Sequence, residues 1–136
     1  MEDPSLSYTP ANPRLKPEEM SYFHYDLYYV QPGREAEADA VAREFVELFR
    51  KKGIPDGYRL FKVLMGAEMP MLAVMVGAKD AADYQVQDAK TRQILGQEGM
   101  TLFQRAFTLS RRFESHNGWW RADLSLPPAP AKAAAK

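Results

Sequence analysis

The sequence contains no cysteine and only two histidines, and its 18 basic residues are balanced by 18 acidic residues. The lack of cysteine excludes disulfides, cysteine-ligated zinc and a thiol nucleophile. The zero net charge argues against nucleic-acid binding and against an anionic membrane surface, because both depend on clustered Lys and Arg. The longest apolar run, residues 69–78, is about half the length of a membrane-spanning helix.

The sequence also lacks the short motifs that mark common catalytic and cofactor sites. It has no G-x-G-x-x-G or G-x-x-x-x-G-K-[ST] loop for phosphates, no H-E-x-x-H, no EF-hand loop and no G-x-S-x-G. With two histidines and no cysteine, we expect no metal site and no cofactor. Heme held by a single axial histidine stays open as an alternative.

Proline marks the ends of the domain. Of ten prolines, four lie in the first 17 residues and three lie between 127 and 130. Because proline cannot donate to a helix or sheet, this predicts an N-terminal arm (1–19), one domain (20–126) and a disordered Pro/Ala/Lys tail (127–136). Leu6, Tyr8 and Leu15 indicate that the arm lies on a surface of the domain.

The arm lacks the basic start and apolar stretch of a signal peptide. We therefore expect a soluble protein and favour the cytoplasm. Export after removal of a leader is the alternative.

The middle of the chain alternates between strand-like and helix-like patterns. Aromatic and β-branched residues predict a first strand over 22–30, and apolar spacing of three and four predicts a helix near 35–52 that stops at Gly53. Two short apolar runs around a glycine-containing connection are typical of a hairpin. The remaining expected elements are hairpin strands 58–65 and 71–76, helices 80–95 and 100–114 interrupted by Gly96 and Gly99, and a last strand 119–125.

This βαββααβ order resembles the α+β ferredoxin-like plan with its second helix split in two. Over residues 22–125 the chain is similar to the dimeric α/β-barrel superfamily. The hairpin Gly66…Met69-Pro70-Met71-Leu72 and the segment Arg-Ala-Asp-Leu-Ser at 121–125 resemble a bacterial branch without an assigned activity. The resemblance implies a four-stranded antiparallel sheet with helices on one face, and a pocket between sheet and helices or inside the paired barrel. Its members include heme-degrading enzymes, cofactor-independent monooxygenases and ligand-sensing domains, so the fold leaves the function open.

The apolar content of the strands predicts a homodimer. Alternate side chains of a strand face opposite sides of a sheet, and helices on one side cover only one face. We expect Tyr28, Val30 and Met71 or Leu72 on the uncovered face, where a second copy would bury them. The alternative is that the N-terminal arm folds over this face.

His24 and Asp26 are the candidate catalytic pair. Their i, i+2 spacing on a strand points both side chains to one side, where a carboxylate can orient an imidazole that acts as a general base. The alternative is that they are two polar neighbours without a role.

Tyr28, Tyr58, Arg59 and Phe61 are the candidate ligand-binding residues. Tyrosines can line an aromatic pocket, and Arg59 can meet an anionic group. Core packing of the rings and a solvated Arg59 are the alternatives. Glu114 and His116 are expected where the last helix ends, as capping groups.

These features favour a homodimer that binds a small, mostly apolar or aromatic molecule in a sheet-backed pocket. A cofactor-independent oxygenase or isomerase is the first alternative. There His24 with Asp26 would remove a proton, and Arg59 or a tyrosine hydroxyl would stabilise the anion. A structural interaction module whose arms grip other chains is the second alternative.

Overall fold

The computed structural model describes residues 1–63, 65, 66 and 68–124. The expected tail (127–136) and residues 125 and 126 lie outside this part of the chain. Four strands form one antiparallel sheet in the order β2-β3-β1-β4. The main elements are β1 (Tyr22–Val30), α1 (Glu35–Lys52), β2 (Arg59–Val63), β3 (Met71–Ala78), α2 (Ala81–Thr108) and β4 (Ser110–Trp119). The predicted α+β ferredoxin-like fold is therefore confirmed.

The helix α1 follows the sequence pattern closely. Its buried stripe includes Val41, Val46 and Phe49. The helix stops at Gly53, whose φ of 62° suits a residue without a side chain and whose N–H donates to the carbonyls of Arg50 and Phe49.

The helix α2 accounts for both of the predicted helices after the hairpin. It is one long segment with a kink at Gly96, where φ is 57° and ψ is −143°. This left-handed φ is strained for any residue with a Cβ, so the glycine sets the place of the kink. Gly99, by contrast, lies inside the second half of the helix and is buried. The second helix, which we predicted as split in two, is therefore one bent helix.

The expected boundary between the last helix and the last strand is wrong. We predicted a helix to residue 114 and a strand over 119–125, but α2 ends at Thr108 and β4 occupies Ser110–Trp119. The reason is tertiary: β4 pairs with the free edge of β1 from Tyr22↔Trp119 to Val30↔Ser110, and these bonds outweigh the weak helical pattern of the segment. Residues 122–124 form a 3-10 turn.

The two faces of β1 are the reverse of our expectation, whereas Met71 of β3 lies on the face without helices, as expected. Val30 is buried against Ala38, Val41 and Leu109, so the face of β1 that carries His24, Asp26, Tyr28 and Val30 lies under the helices. The opposite face, which we call the helix-free face, has partly exposed apolar side chains. They are Phe23, Tyr25, Leu27, Phe61, Val63, Met71, Ala73 and Met75.

The N-terminal arm runs along the outer edge of β2. Tyr8 and Tyr58 exchange two backbone hydrogen bonds of 3.0 Å, and the N–H of Asp3 donates to the carbonyl of Leu60 at 2.9 Å. Leu6 packs with Ala42 and Leu60 in a buried cluster on the helix side. The arm therefore covers the edge strand β2, whose unpaired backbone groups would otherwise be exposed. It leaves most of the helix-free face uncovered.

Within the described residues, no helix combines the length and the apolar character that crossing a bilayer requires.

Candidate functional site

A cavity of about 150 Å³ lies between the sheet and the two helices. Cavities of about this volume hold a single benzene-sized ring. Its walls are mainly apolar side chains of α1, β3 and α2, among them Val41, Phe45, Val74, Leu95 and Phe103. Such a lining favours a small apolar or aromatic molecule.

Two charged residues of α2 also belong to the cavity lining. Asp88 and Arg92 line it, and both side chains are partly exposed to solvent. They are joined by a hydrogen bond of 2.8 Å between Arg92 Nε and Asp88 Oδ2, and the guanidinium lies 5.4 Å from the centre of the Phe103 ring. The mainly apolar lining therefore also contains a charged pair.

Asp26 is the carboxylate in the cavity wall that belongs to the sheet. Its Oδ1 accepts a hydrogen bond of 2.6 Å from the hydroxyl of Ser115 and lies 2.9 Å from His24 Nε2. No donor of the described residues lies within hydrogen-bond distance of the other oxygen, Oδ2. Asp26 is thus oriented through one oxygen and keeps a second one as an acceptor.

His24 lies behind this wall and does not line the cavity. Its ring stacks on Tyr84 with the centroids 4.5 Å apart, and its Nδ1 lies 2.8 Å from Asn117 Oδ1. Only 12% of the side chain is exposed. The structure therefore brings His24 and Asp26 together as predicted, with Asp26 as the member that can touch a ligand.

Two tyrosines add hydroxyl groups to the cavity lining. Burial raises the pKa of Tyr28, and the nearby Asp26 carboxylate raises it further. Burial also raises the pKa of Tyr84, with smaller contributions from Asp88 and Asp26. Both hydroxyls therefore stay protonated at physiological pH and can donate hydrogen bonds.

Tyr58 lines the cavity from the edge of the sheet where the arm pairs with β2. The residue is 8% exposed, and its ring contacts Phe49 edge-on at 4.9 Å between centroids. Its hydroxyl is buried and has no hydrogen-bond partner among the described residues. Burial raises the pKa of Tyr58, so this hydroxyl is also a neutral donor.

Arg59 and Phe61, the other two predicted ligand residues, lie on the helix-free face instead. They alternate with Tyr58 and Leu60 along the chain, so their side chains point away from the cavity. Arg59 forms an ion pair with Glu2 of the arm, and its guanidinium lies 5.2 Å from the centre of the Phe61 ring. The four predicted residues therefore divide between the two faces.

Glu114 and His116 lie on β4 and not at the end of a helix, so the expected capping role is wrong. His116 Nε2 is 3.1 Å from Glu114 Oε2, which also accepts from the Tyr29 hydroxyl at 3.3 Å. Arg112 stacks over the Tyr29 ring at 4.1 Å. This group borders the helix-free face and is separate from the cavity.

The cavity does not fit heme. Its volume of about 150 Å³ suits one small ring, and both nitrogens of His24 already face hydrogen-bond partners. Among the described residues there is also no group of three or more side chains arranged to hold a metal ion.

Tyr84, Ser115 and Arg92 are site residues that sequence reasoning missed. Tyr84 and Arg92 lie on α2, where the spacing indicated only a helix. Ser115 lies on β4, in a stretch that we predicted as a connection between the last helix and the last strand. An i, i+4, i+8 pattern of Tyr84, Asp88 and Arg92 was the available signal, because these positions share one helix face.

No family model matches the chain, and no curated protein matches it. Several solved structures do match the chain. A NIPSNAP family protein from Agrobacterium tumefaciens strain C58 aligns with a TM-score of 0.62 at 16% identity, over 85% of this chain and 97% of that one. A dimeric ferredoxin-like protein from an uncultured marine organism aligns with a TM-score of 0.57 at 13% identity, over 80% of this chain and 96% of that one.

An anthrone oxidase-like protein aligns with a TM-score of 0.51 at 14% identity. The alignment covers 78% of this chain and 48% of that one, so the chain spans about half of its length. At these identities the matches show the fold. The chain has the ferredoxin-like fold that the sequence resemblance to the dimeric α/β-barrel superfamily implied.

Proposed function

We propose that this chain is a homodimeric protein that binds a small, mostly apolar ring compound between its sheet and its helices. The observation that carries the proposal is the cavity of about 150 Å³ under the helices, with apolar walls and a few hydroxyl and carboxylate groups. A binding site commonly has this combination, since the apolar walls supply affinity and the polar groups orient the ligand.

The binding proposal can be tested with ethylbenzene, which has one ring and no polar group. We expect saturable binding by calorimetry, and we expect loss of binding in Ala106→Phe, because Ala106 lines the cavity and a phenyl group would occupy it. Ala89→Phe is the matched control, since Ala89 is exposed on the same helix outside the cavity. Equal binding by both variants, or no binding by the wild type, would contradict the proposal.

The homodimer is supported by the helix-free face. Its central strand presents Phe23, Tyr25 and Leu27, and apolar side chains of β2 and β3 flank them. A continuous apolar sheet face is costly in water, and a second copy is a partner of matching shape. The structural neighbour described as a dimeric ferredoxin-like protein supports the same arrangement.

Leu27→Lys tests the dimer, because Leu27 pairs with Ala73 and Glu114 in the middle of that face. We expect light scattering to give a dimer mass for the wild type and a monomer mass for the variant. Val86→Lys is the control, since Val86 is exposed on α2, away from the face. A wild-type monomer at micromolar concentration would contradict the dimer and leave the cavity proposal standing.

A second candidate function is proton-transfer catalysis in the same cavity. The observation that favours it is Asp26, which keeps Oδ2 as an acceptor while His24 and Ser115 orient Oδ1. Oδ2 would remove a proton from an activated C–H group and leave a substrate anion. An isomerase would return the proton to another carbon, whereas an oxygenase would use dioxygen as the oxidant. The neighbour described as anthrone oxidase-like supports the oxygenase form.

The catalytic candidate is tested by following the exchange of an acidic C–H of acetophenone in D2O by NMR. We expect the wild type to accelerate exchange and Asp26→Asn to bind acetophenone without accelerating it. Asp88→Asn, at another carboxylate of the cavity lining, is the control, with exchange expected to persist. Equal exchange by wild type and Asp26→Asn would exclude this role.

The interaction-module function has less support. The N-terminal arm would have to grip another chain, but its apolar side chains Leu6, Tyr8 and Leu15 are buried against its own chain.

A further inference from the structure

Tyr58 holds the one buried side-chain polar atom that has no hydrogen-bond partner within the described residues. An enclosed hydroxyl without a partner costs free energy, and native proteins usually supply one. The position is not loose: the backbone of Tyr58 exchanges two hydrogen bonds of 3.0 Å with Tyr8, and its ring packs edge-on against Phe49. The unpaired hydroxyl is therefore held in place.

Tyr8, the neighbouring tyrosine, shows that this region can satisfy a buried hydroxyl. Its ring lies 6.2 Å from that of Tyr58, and its hydroxyl donates to the carbonyl of Ile54 at 2.8 Å. Tyr8 does not line the cavity, whereas Tyr58 does. Of these two tyrosines, the one that lines the cavity is therefore the one whose hydroxyl has no partner among the described residues.

The other two cavity tyrosines do not share this feature. Tyr28 and Tyr84 line the same space, but their hydroxyls are not among the buried unpaired atoms. Of these three hydroxyls, that of Tyr58 is therefore the one that receives a partner neither from the described residues nor from solvent. The three carboxylates that line the cavity, Asp26, Asp56 and Asp88, form no hydrogen bond with the Tyr58 hydroxyl.

We propose, resting on the cavity as a ligand site, that Tyr58 determines specificity by donating a hydrogen bond to a neutral acceptor oxygen of a single-ring ligand. The ligand class is a ring compound with a carbonyl or ether oxygen, of which an aryl ketone is the simplest probe. The Tyr58 hydroxyl remains protonated because burial raises its pKa, and the nearby Tyr8 and Tyr28 raise it further. A ring without an acceptor would leave the hydroxyl unpaired and bind less tightly.

Acetophenone and ethylbenzene form the test pair, because they differ by a carbonyl oxygen. In Tyr58→Phe we expect the affinity for acetophenone to fall about tenfold, as for a lost hydrogen bond, and that for ethylbenzene to stay within about twofold. Tyr8→Phe is the matched control, with both affinities expected within about twofold of wild type.

Two further measurements separate a ligand contact from a structural one. Tyr58→Phe loses no bond within the chain, so we expect its melting temperature to be unchanged or raised, whereas Tyr8→Phe should melt lower. The carbonyl stretching frequency of bound acetophenone should be lowered in the wild type and return toward the free value in Tyr58→Phe.

The outcomes distinguish this inference from the function on which it rests. Binding of both probes with no selective loss in Tyr58→Phe, or an unshifted carbonyl frequency in the wild type, would overturn the role of Tyr58 and keep the cavity as a site. Failure of the wild type to bind either probe would overturn both.

Discussion

Nε2 of His24 lies 2.9 Å from Oδ1 of Asp26, and only Asp26 of the pair lines the cavity. The usual order of a histidine base oriented by a carboxylate is therefore reversed at this site. His24 stacks on Tyr84 and orients the carboxylate through Oδ1, and the second oxygen, Oδ2, forms no hydrogen bond with the described residues. In this arrangement His24 is a positioning residue.

His24→Ala should lower the free energy of unfolding by about 1–2 kcal/mol, because it removes a ring stack and two hydrogen bonds from a largely buried site. Urea denaturation at pH 7 measures this. His116→Ala is the control, since that side chain is 58% exposed on β4 and should cost less than about 0.5 kcal/mol. Equal losses in the two variants would show that the contacts of His24 contribute nothing measurable.

The sequence predicts which segments form strands and helices better than it predicts which face of the sheet the helices cover. Strand alternation places His24 and Asp26 together but does not say whether that face meets helices or solvent. The polar pair suggested the uncovered face, and Val30 on the same face is in fact 2% exposed under the helices. Which face is covered depends on how α1 and α2 cross the sheet, and no local pattern reports this.

The boundary between α2 and β4 shows a second limit of prediction from local sequence spacing. Phe103, Ala106 and Phe107 follow helical spacing, and Ser110 and Phe113 extend that spacing by chance. In the structure Phe113 contacts Tyr28 from across the strand pair, with the ring centroids 5.0 Å apart. The free edge of β1 decides the conformation of this segment, and that edge is distant in sequence.

The sequence also predicted only some of the residues that line the cavity. Tyr28 and Tyr58 were found because tyrosines can line an aromatic pocket, and both line this one. Arg59 and Phe61 were misplaced because the charge of Arg59 suggested a ligand, whereas its partner is Glu2 of the arm. A contact between an arm and an edge strand 57 residues away is not visible in local spacing.

Gly96→Ala should destabilise the protein by about 2 kcal/mol, because φ of 57° with ψ of −143° is strained for a residue with a Cβ. The space around Gly96 is open, so the cost comes from the backbone and not from a clash. Gln93→Ala, an exposed position on the same helix, should change the free energy of unfolding by less than about 0.5 kcal/mol. A neutral Gly96→Ala variant would mean that the helix can straighten through the kink.

Leu6→Ala tests how far the N-terminal arm belongs to the core. Leu6 is 1% exposed and packs against Ala42 and Leu60, so we expect a loss of about 2–4 kcal/mol in chemical denaturation. Leu124→Ala is the control because that side chain is 75% exposed. A cost for Leu6→Ala as small as that of the control would show that the arm detaches readily.

Arg14 links the arm to the domain through two carboxylates. Its Nε lies 3.0 Å from Asp56 Oδ1, and its two terminal nitrogens each lie 3.0 Å from an oxygen of Asp83. All three side chains are largely buried. Burial by itself raises the pKa of Asp83, but the hydrogen bonds from Arg14 and from the Lys79 N–H outweigh it and hold that pKa below its ordinary value of 3.8.

Arg14→Ala should therefore cost about 2–3 kcal/mol at pH 7, since it leaves two buried carboxylates without their cation. Because the folded pKa of Asp83 is the lower one, its stabilising contribution is complete above the unfolded value of 3.8 and is lost as the pH falls through the folded value. The difference between wild type and Arg14→Ala should thus shrink below about pH 4 in urea titrations. Arg34→Ala, which breaks an exposed pair with Glu37, should cost less than about 0.5 kcal/mol and show no such convergence. A difference for Arg14→Ala that stayed constant down to pH 3 would exclude the ion pairs as its source.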